Sequence, residues 1–231
     1  MRIQLNEEMA KLSQMYLFAG LMILNLYTLP ARAQSLDDEE RTFFGGLTAG
    51  ANFSQVDGDN FAGYHRVGWN AGVVVFAKLS GSFAGGMELL FAQKGSRAGQ
   101  NQLPKWANDQ STVLTDYKIQ LNYAEVPVTI NYFDKRRNHF GAGLAYAQLV
   151  SSKEKYRDGQ GLIYEQDAKL FPFKKFDLSC VLTGSAHLWK GFYMNIRFQY
   201  SLLTVRNSYN FLTGRPEQYN NLWCTRLVYL F

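Results

Sequence analysis

The chain is poor in the residues that punctuate or cross-link soluble folds. It has 5 prolines, 2 cysteines and 3 histidines in 231 residues. Two cysteines cannot make a disulfide scaffold, and so little proline excludes a collagen-like or proline-rich chain. Charged residues reach only 19%, below the roughly 25% usual for soluble domains. Long apolar runs are missing after residue 30, and the mean hydropathy is slightly negative, which excludes a bundle of membrane helices. The net charge of +5 is small and unclustered, so nucleic acid is not an expected partner. No two histidines or cysteines stand at metal-ligand spacing.

What the chain does have is aromatic residues, at 15%, and 20 glycines. With 47% hydrophobic residues it is also too apolar to be disordered.

The N-terminus points to export. Arg2 and Lys11 give a positive start, 16–29 (YLFAGLMILNLYTL) is an apolar core, and Ala31-Arg32-Ala33 follows Pro30 as a cleavage site. That order is a secretory signal peptide. The alternative, a membrane anchor, needs about 20 apolar residues, and this run has 14. We therefore read 1–33 as a signal peptide, 34–42 as a short polar lead-in and 43–231 as one domain.

That domain is written in period two, the strand signature. Over 192–203 the even residues Phe192, Met194, Ile196, Phe198, Tyr200 and Leu202 oppose Tyr193, Asn195, Arg197, Gln199 and Ser201. A strand sends these sets to opposite faces. The same test finds strands at 43–54, 67–79, 83–94, 117–133, 139–150, 175–189 and 221–231. The pattern of 117–133 changes phase near Tyr123-Ala124, which predicts a bulge, and Pro127 is awkward inside it.

Length and connections decide the class. Soluble strands usually run 5–6 residues, whereas membrane-spanning strands need about 9–11. Connections at 80–82, 134–138 and 190–191 are tight, while 55–66, 95–116, 151–174 and 204–220 are long. Strict alternation of short turns with long loops is the habit of outer-membrane barrels. The expected fold is all-β: an eight-stranded antiparallel up-and-down transmembrane β-barrel. Its lipid face would carry girdles of Trp69, Tyr123, Tyr132, Phe192, Tyr200, Trp223 and Tyr229. Its outer surface would contact outer-membrane lipid in a Gram-negative cell.

Eight strands enclose just enough room for side chains. The inner set holds Glu88, Lys94, Glu125, Asp177, His187, Arg197 and Arg226. Both signs are present, so a paired interior charge network is expected, since a lone buried charge is costly. Trp223, Leu227, Tyr229 and Phe231 keep step to the last residue, as a C-terminal assembly signal read by the barrel-assembly machinery would. Cys180 and Cys224 fall two strands apart, about 9–10 Å, beyond disulfide reach, so both are expected free.

Chemical motifs are weak. Ser54, Asp57 and His65 could be written as a triad for lipid chemistry at the outer rim, but loops are rich in such residues. Asp57-Gly58-Asp59-Asn60 lacks the remaining ligands of a calcium loop and reads as a turn. Trp106, Tyr156, Tyr164, Phe171, Phe173, Tyr209 and Phe211 crowd the long connections, which suggests loops that pack together or bind a protein partner. No catalytic residue, cofactor or metal is expected. A lipid-modifying enzyme and a narrow solute channel remain the alternatives.

The pieces GLTAGANFSQVDGDNFAGYHRVGWNAGV (46–73), MELLFAQKGSR (87–97), LNYAEVPVTINYF (121–133) and FDLSCVLTGSAHL (176–188) resemble the PorT-family outer-membrane β-barrel domain of Bacteroidetes. The resemblance runs over nearly the whole domain. It implies an outer-membrane barrel without catalytic residues, and a structural, interaction or type IX secretion-accessory role.

Overall fold

A computed structural model describes residues 42–59, 61–98, 116–157, 162–165, 172–207 and 217–231. The leader expected over 1–33, and the lead-in except Thr42, lie outside the described residues. So do Trp106, Phe171, Tyr209 and Phe211 among the loop aromatics.

Among the described residues nine strands follow in order: β1 (Phe43–Asp57), β2 (Arg66–Ser80), β3 (Phe83–Arg97), β4 (Asp116–Phe133), β5 (His139–Arg157), β6 (Ile163–Glu165), β7 (Phe176–Trp189), β8 (Phe192–Ser201) and β9 (Tyr219–Leu230). Every pairing is antiparallel, and β1 bonds both β2 and β9. Together with the β4–β5 pairing this closes β1–β5 and β7–β9 into an eight-stranded barrel. The short β6 pairs only with β5, through Lys155–Glu165 to Arg157–Ile163, and stands outside the ring. No helix of the described residues is long and apolar enough to cross a membrane.

Alternation is what lets the sheet close with an apolar outside. Leu47, Val67, Trp69, Leu89, Ile130, Leu144, Leu182, Ile196 and Leu227 all point outward and are exposed. Such a continuous apolar band is a liability in water and a requirement in lipid. Tyr132, Phe192, Tyr200, Trp223 and Tyr229 sit on this outer face with Trp69. Tyr123 does not: it is fully buried inside the barrel.

Tyr123 exposes a second correction. Alternation along β4 never breaks, for the odd residues from Tyr117 to Asn131 all face inward. What changes is which face is apolar. Toward the long loops the inward residues Tyr117, Ile119 and Leu121 are apolar; toward the turns the outward residues Val128 and Ile130 are. The bulge exists at this level but belongs to β5: Asn122 pairs with Ser151 and Tyr123 with Leu149, leaving Val150 as the extra residue. Pro127 leaves its own mark. The β3–β4 ladder is interrupted between Met87–Val128 and Leu90–Glu125, with the register unchanged on either side, because Pro127 has no N–H to give to it.

The lumen is packed at both ends. Phe44, Val74, Phe76, Ala84, Tyr193, Val228 and Leu230 fill the end of the tight turns. Phe61, Tyr117, Ile119, Leu121, Tyr123, Ala147, Phe173 and Val205 fill the end of the long loops. Polar residues occupy the middle. Gly50 makes one of these possible: a Cβ there would sit 2.3 Å from Cβ of Arg226, its partner across the β1–β9 ladder. Both cysteines are free, with Cys224 buried in the lumen and Cys180 on the opposite face.

Candidate functional site: a charged ladder inside the barrel

Six charged side chains meet in the middle of the lumen. Glu88 of β3 accepts from Arg226 of β9 at 2.6 and 3.0 Å, and from Arg197 of β8. Arg226 Nε also donates to Asn195 Oδ1 at 2.7 Å, and Asn195 Nδ2 donates hydrogen bonds to the Ser185 and Thr183 hydroxyls. One step toward the loops, Lys94 Nζ lies 2.7 Å from Glu125 and 3.8 Å from Asp177. The Lys94 ammonium also sits over the Tyr123 ring, and Asn220 donates to both Asp177 and Tyr123. Three cations thus face three anions, all nearly excluded from solvent. The ladder is neutral as a unit, which is the condition for burying charge at all.

A third tier stands nearer the loops. Arg206 Nη2 meets Glu154 Oε2 at 2.5 Å, Tyr117 donates to the same carboxylate, and the guanidinium lies 3.7 Å from the Phe173 ring centroid. Sequence reasoning missed this tier, because Glu154 and Arg206 fall in segments read as loops. The signal was available in period two: Ser152, Glu154 and Tyr156 continue β5 beyond Val150 with the inward phase restored.

His187 does not join the ladder. It is half-buried at the turn end, with Nε2 2.6 Å from the Lys190 carbonyl and its ring 5.1 Å from that of Tyr193. The C-terminal set lies on the outer face instead. Trp223 packs on Phe198, Tyr229 on Phe192 and Phe231, and Phe231 N donates to the Gly45 carbonyl at 3.0 Å.

The rim residues do not assemble into a triad. Ser54 is buried in the lumen and donates to the Arg66 carbonyl, whereas Asp57 accepts from Gln55 and Asn221. His65 is exposed. In the neighbouring turn Gly58 has φ +97° and Asp59 is buried, accepting from Phe61 N at 2.9 Å. Burial pushes the Asp59 carboxyl up to about 7, partly offset by the Ser96 hydroxyl and the Phe61 N–H. Among the described residues no three histidine, cysteine or carboxylate side chains stand together as a metal site.

The free space inside is small. Two voids along the ladder measure about 10 Å³ each, room for one water at most. A larger cavity, about 190 Å³, opens at the turn end between Phe44, Phe76, Phe133 and Tyr193.

Residues 32–205 match the family model described as "Outer membrane protein beta-barrel domain". The chain belongs to this family. The match takes in β1 through β8. Two crystal structures of Ail, the attachment invasion locus protein of Yersinia pestis, are similar at 12% and 13% identity, each with a TM-score of 0.47; the first holds the heparin analogue sucrose octasulfate. The similarity covers 83% of this chain and 100% of Ail. Neisserial surface protein A is similar at 7% identity and a TM-score of 0.40, over 83% of this chain and 98% of its own. No curated protein matches the chain. As a family member the protein is an outer-membrane barrel, and its apolar belt faces lipid.

Proposed function

We propose that this barrel is not an enzyme or a conduit, and that it works through its outer end as a structural or interaction protein. A secretion-accessory role of the PorT kind is the specific form we favour. The observation that carries the reading is the filled middle of the lumen: neutral charge tiers between two apolar clusters, where the two voids along the tiers are each no larger than a water and the larger cavity is confined to the turn end. A plugged interior leaves the surface as the working part. β4 and β5, at 18 and 19 residues, run well past the 9–11 needed to span, and so raise a sheet above the membrane on the loop side. Loops of such barrels face the cell exterior.

In this reading the leader over 1–33 directs export, and Trp223, Leu227, Tyr229 and Phe231 present the last strand to the assembly machinery. Crosslinking from Tyr156 or Tyr164 in intact cells should capture a protein partner, and deletion of the gene should impair export of that partner's cargo. Normal export in the deletion strain removes the secretion role. Changed lipid A in a His65→Ala strain, relative to wild type, restores the enzyme reading.

A further inference from the structure

Among the described residues the outward cations of the loop end stand on one side only. Arg97 of β3, Lys118 of β4 and Lys155 of β5 stand directly opposite one another in a single cross-strand row. Lys153 lies in the next row but one toward the membrane, opposite Gln120. Lys174 and Lys175 flank it on the segment entering β7, where the Lys175 carbonyl bonds Leu149 N. The anions beside them are Asp116, 3.6 Å from Arg97 and opposite Arg157, and Glu165, 3.1 Å from Lys155. Among the described residues of this face the surplus is strongly positive. Across the barrel, the loop ends of β9 and β1 carry Gln55, Asp57, Glu217 and Tyr219 on their outer side, and no outward lysine or arginine among the described residues.

Like charges directly opposite on a sheet destabilise it, and Asp116 and Glu165, at the two ends of the row, are too few to balance the basic side chains of this face. The height of the face names the missing counterion. On β4 the outward residues change from Ala124, the last apolar one, to Asn122, Gln120 and Lys118. At about 3.4 Å per residue and a tilt near 40°, the four residues from Ala124 to Gln120 climb about 10 Å. Lys153 is therefore about 10 Å above the hydrocarbon edge, and Lys174 and Lys175 lie at the edge itself, level with Leu149. Lysine stems reach several ångströms further toward the membrane. Lys174, Lys175 and, through its stem, Lys153 thus reach lipid headgroups, while the Arg97–Lys118–Lys155 row stands about 16 Å above the edge, at a level that only a larger, saccharide headgroup extends to.

We propose that this basic face of β3, β4, β5 and the entry to β7 is a binding site for the phosphate groups of an outer-leaflet glycolipid. Lysine and arginine side chains at several heights would hold phosphates on a saccharide headgroup through charge-assisted hydrogen bonds. The inference rests on the loop end facing outward. It fixes one side of the barrel against lipid and leaves the β9–β1 side for other contacts.

The test is lipid retention. The full chain is folded into phosphatidylcholine vesicles containing a minor fraction of lipid A, re-extracted, and its bound lipid counted by mass spectrometry. Wild type should be enriched in lipid A over phosphatidylcholine, and the enrichment should fall as salt rises from 50 to 500 mM. K118Q/K153Q/K155Q should lose about fivefold or more of it, since each basic residue near an anionic surface contributes about 1 kcal/mol. K135Q/R136Q, in a turn at the other end, should keep it. Heat-modifiable gel mobility reports that each variant is folded. No enrichment by folded wild type, enrichment indifferent to salt, or equal loss in both variants overturns the site. So does binding of pyrophosphate without enrichment of lipid A. Each of these leaves the interaction role of the outer loops standing.

Discussion

Arg226 holds both oxygens of Glu88 across the barrel, at 2.6 and 3.0 Å, although their strands β9 and β3 are separated by β1 and β2. The fork ties opposite walls together through the lumen. Arg197 shares the same carboxylate from β8. Glu88 is therefore the single anion between two buried guanidinium groups.

Removing it should be far worse than removing either partner. Glu88→Ala strands two cations and should cost at least the about 3–5 kcal/mol of a broken buried pair. Arg197→Met leaves the Arg226 fork intact and should cost clearly less. Urea titration of the barrel folded in lipid vesicles measures both. Equal losses would mean that the fork does not organise the tier.

Gly50 should tolerate no side chain. Its missing Cβ is the space that Arg226 occupies at the β1–β9 ladder. Gly50→Val should lower stability by several kcal/mol, as overpacking in a filled interior does, with backbone in the way rather than a flexible tip. Gly81→Ala, where nothing lies within 4 Å but φ is +49°, should show only the smaller strain of its turn.

Asp59 should make the loop end pH-sensitive. Its carboxyl is held near 7 in the fold, against an ordinary value of 3.8, because burial disfavours the charge. The folded state therefore keeps a proton that the unfolded chain has already lost. The stabilisation is full below about pH 4 and is lost as pH rises through 7. Amide exchange around Val56 and Phe61 should quicken from pH 5 to pH 8 after correction for intrinsic rates. Asp59→Asn should flatten that dependence.

The lumen should not conduct. Tiers of paired charge with voids of about 10 Å³ leave no continuous water path. Planar bilayers holding the protein should show no resolved current steps. Steps seen with wild type would return the channel reading.

Much of this architecture was legible because its physics is local. Period two names the faces of β8 and β7 residue by residue, and loop lengths alternate visibly along the chain. The ladder residues could be named because a charge on the inward set has nowhere else to go. Legibility failed where the environment changes along a strand. Tyr123 looks like a girdle aromatic, but above the membrane the rule inverts and apolar side chains turn inward to form a core, as Tyr117, Ile119 and Leu121 do. Glu154 and Arg206 were hidden by the same extension, since a strand beyond the bilayer reads as a loop. His187 has the inward phase of Ser185 but lies too near the turn to reach the ladder.

Val150 turns this lesson into a deletion experiment. It is the extra residue between Leu149, paired to Tyr123, and Ser151, paired to Asn122. Tyr123 and Asn122 are consecutive on β4, so removing Val150 joins Leu149 to Ser151 in unbroken alternation. Every residue beyond keeps its face, and Glu154 still points at Arg206. Deleting Leu144 instead, in the regular part of β5, shifts the phase of one side of the strand and turns a whole apolar set inward. The Val150 deletion should fold, with normal heat-modifiable mobility, and the Leu144 deletion should not. Failure of both would show that the extra residue at Val150 does more than take up slack, with the bend it gives β5 required for closure.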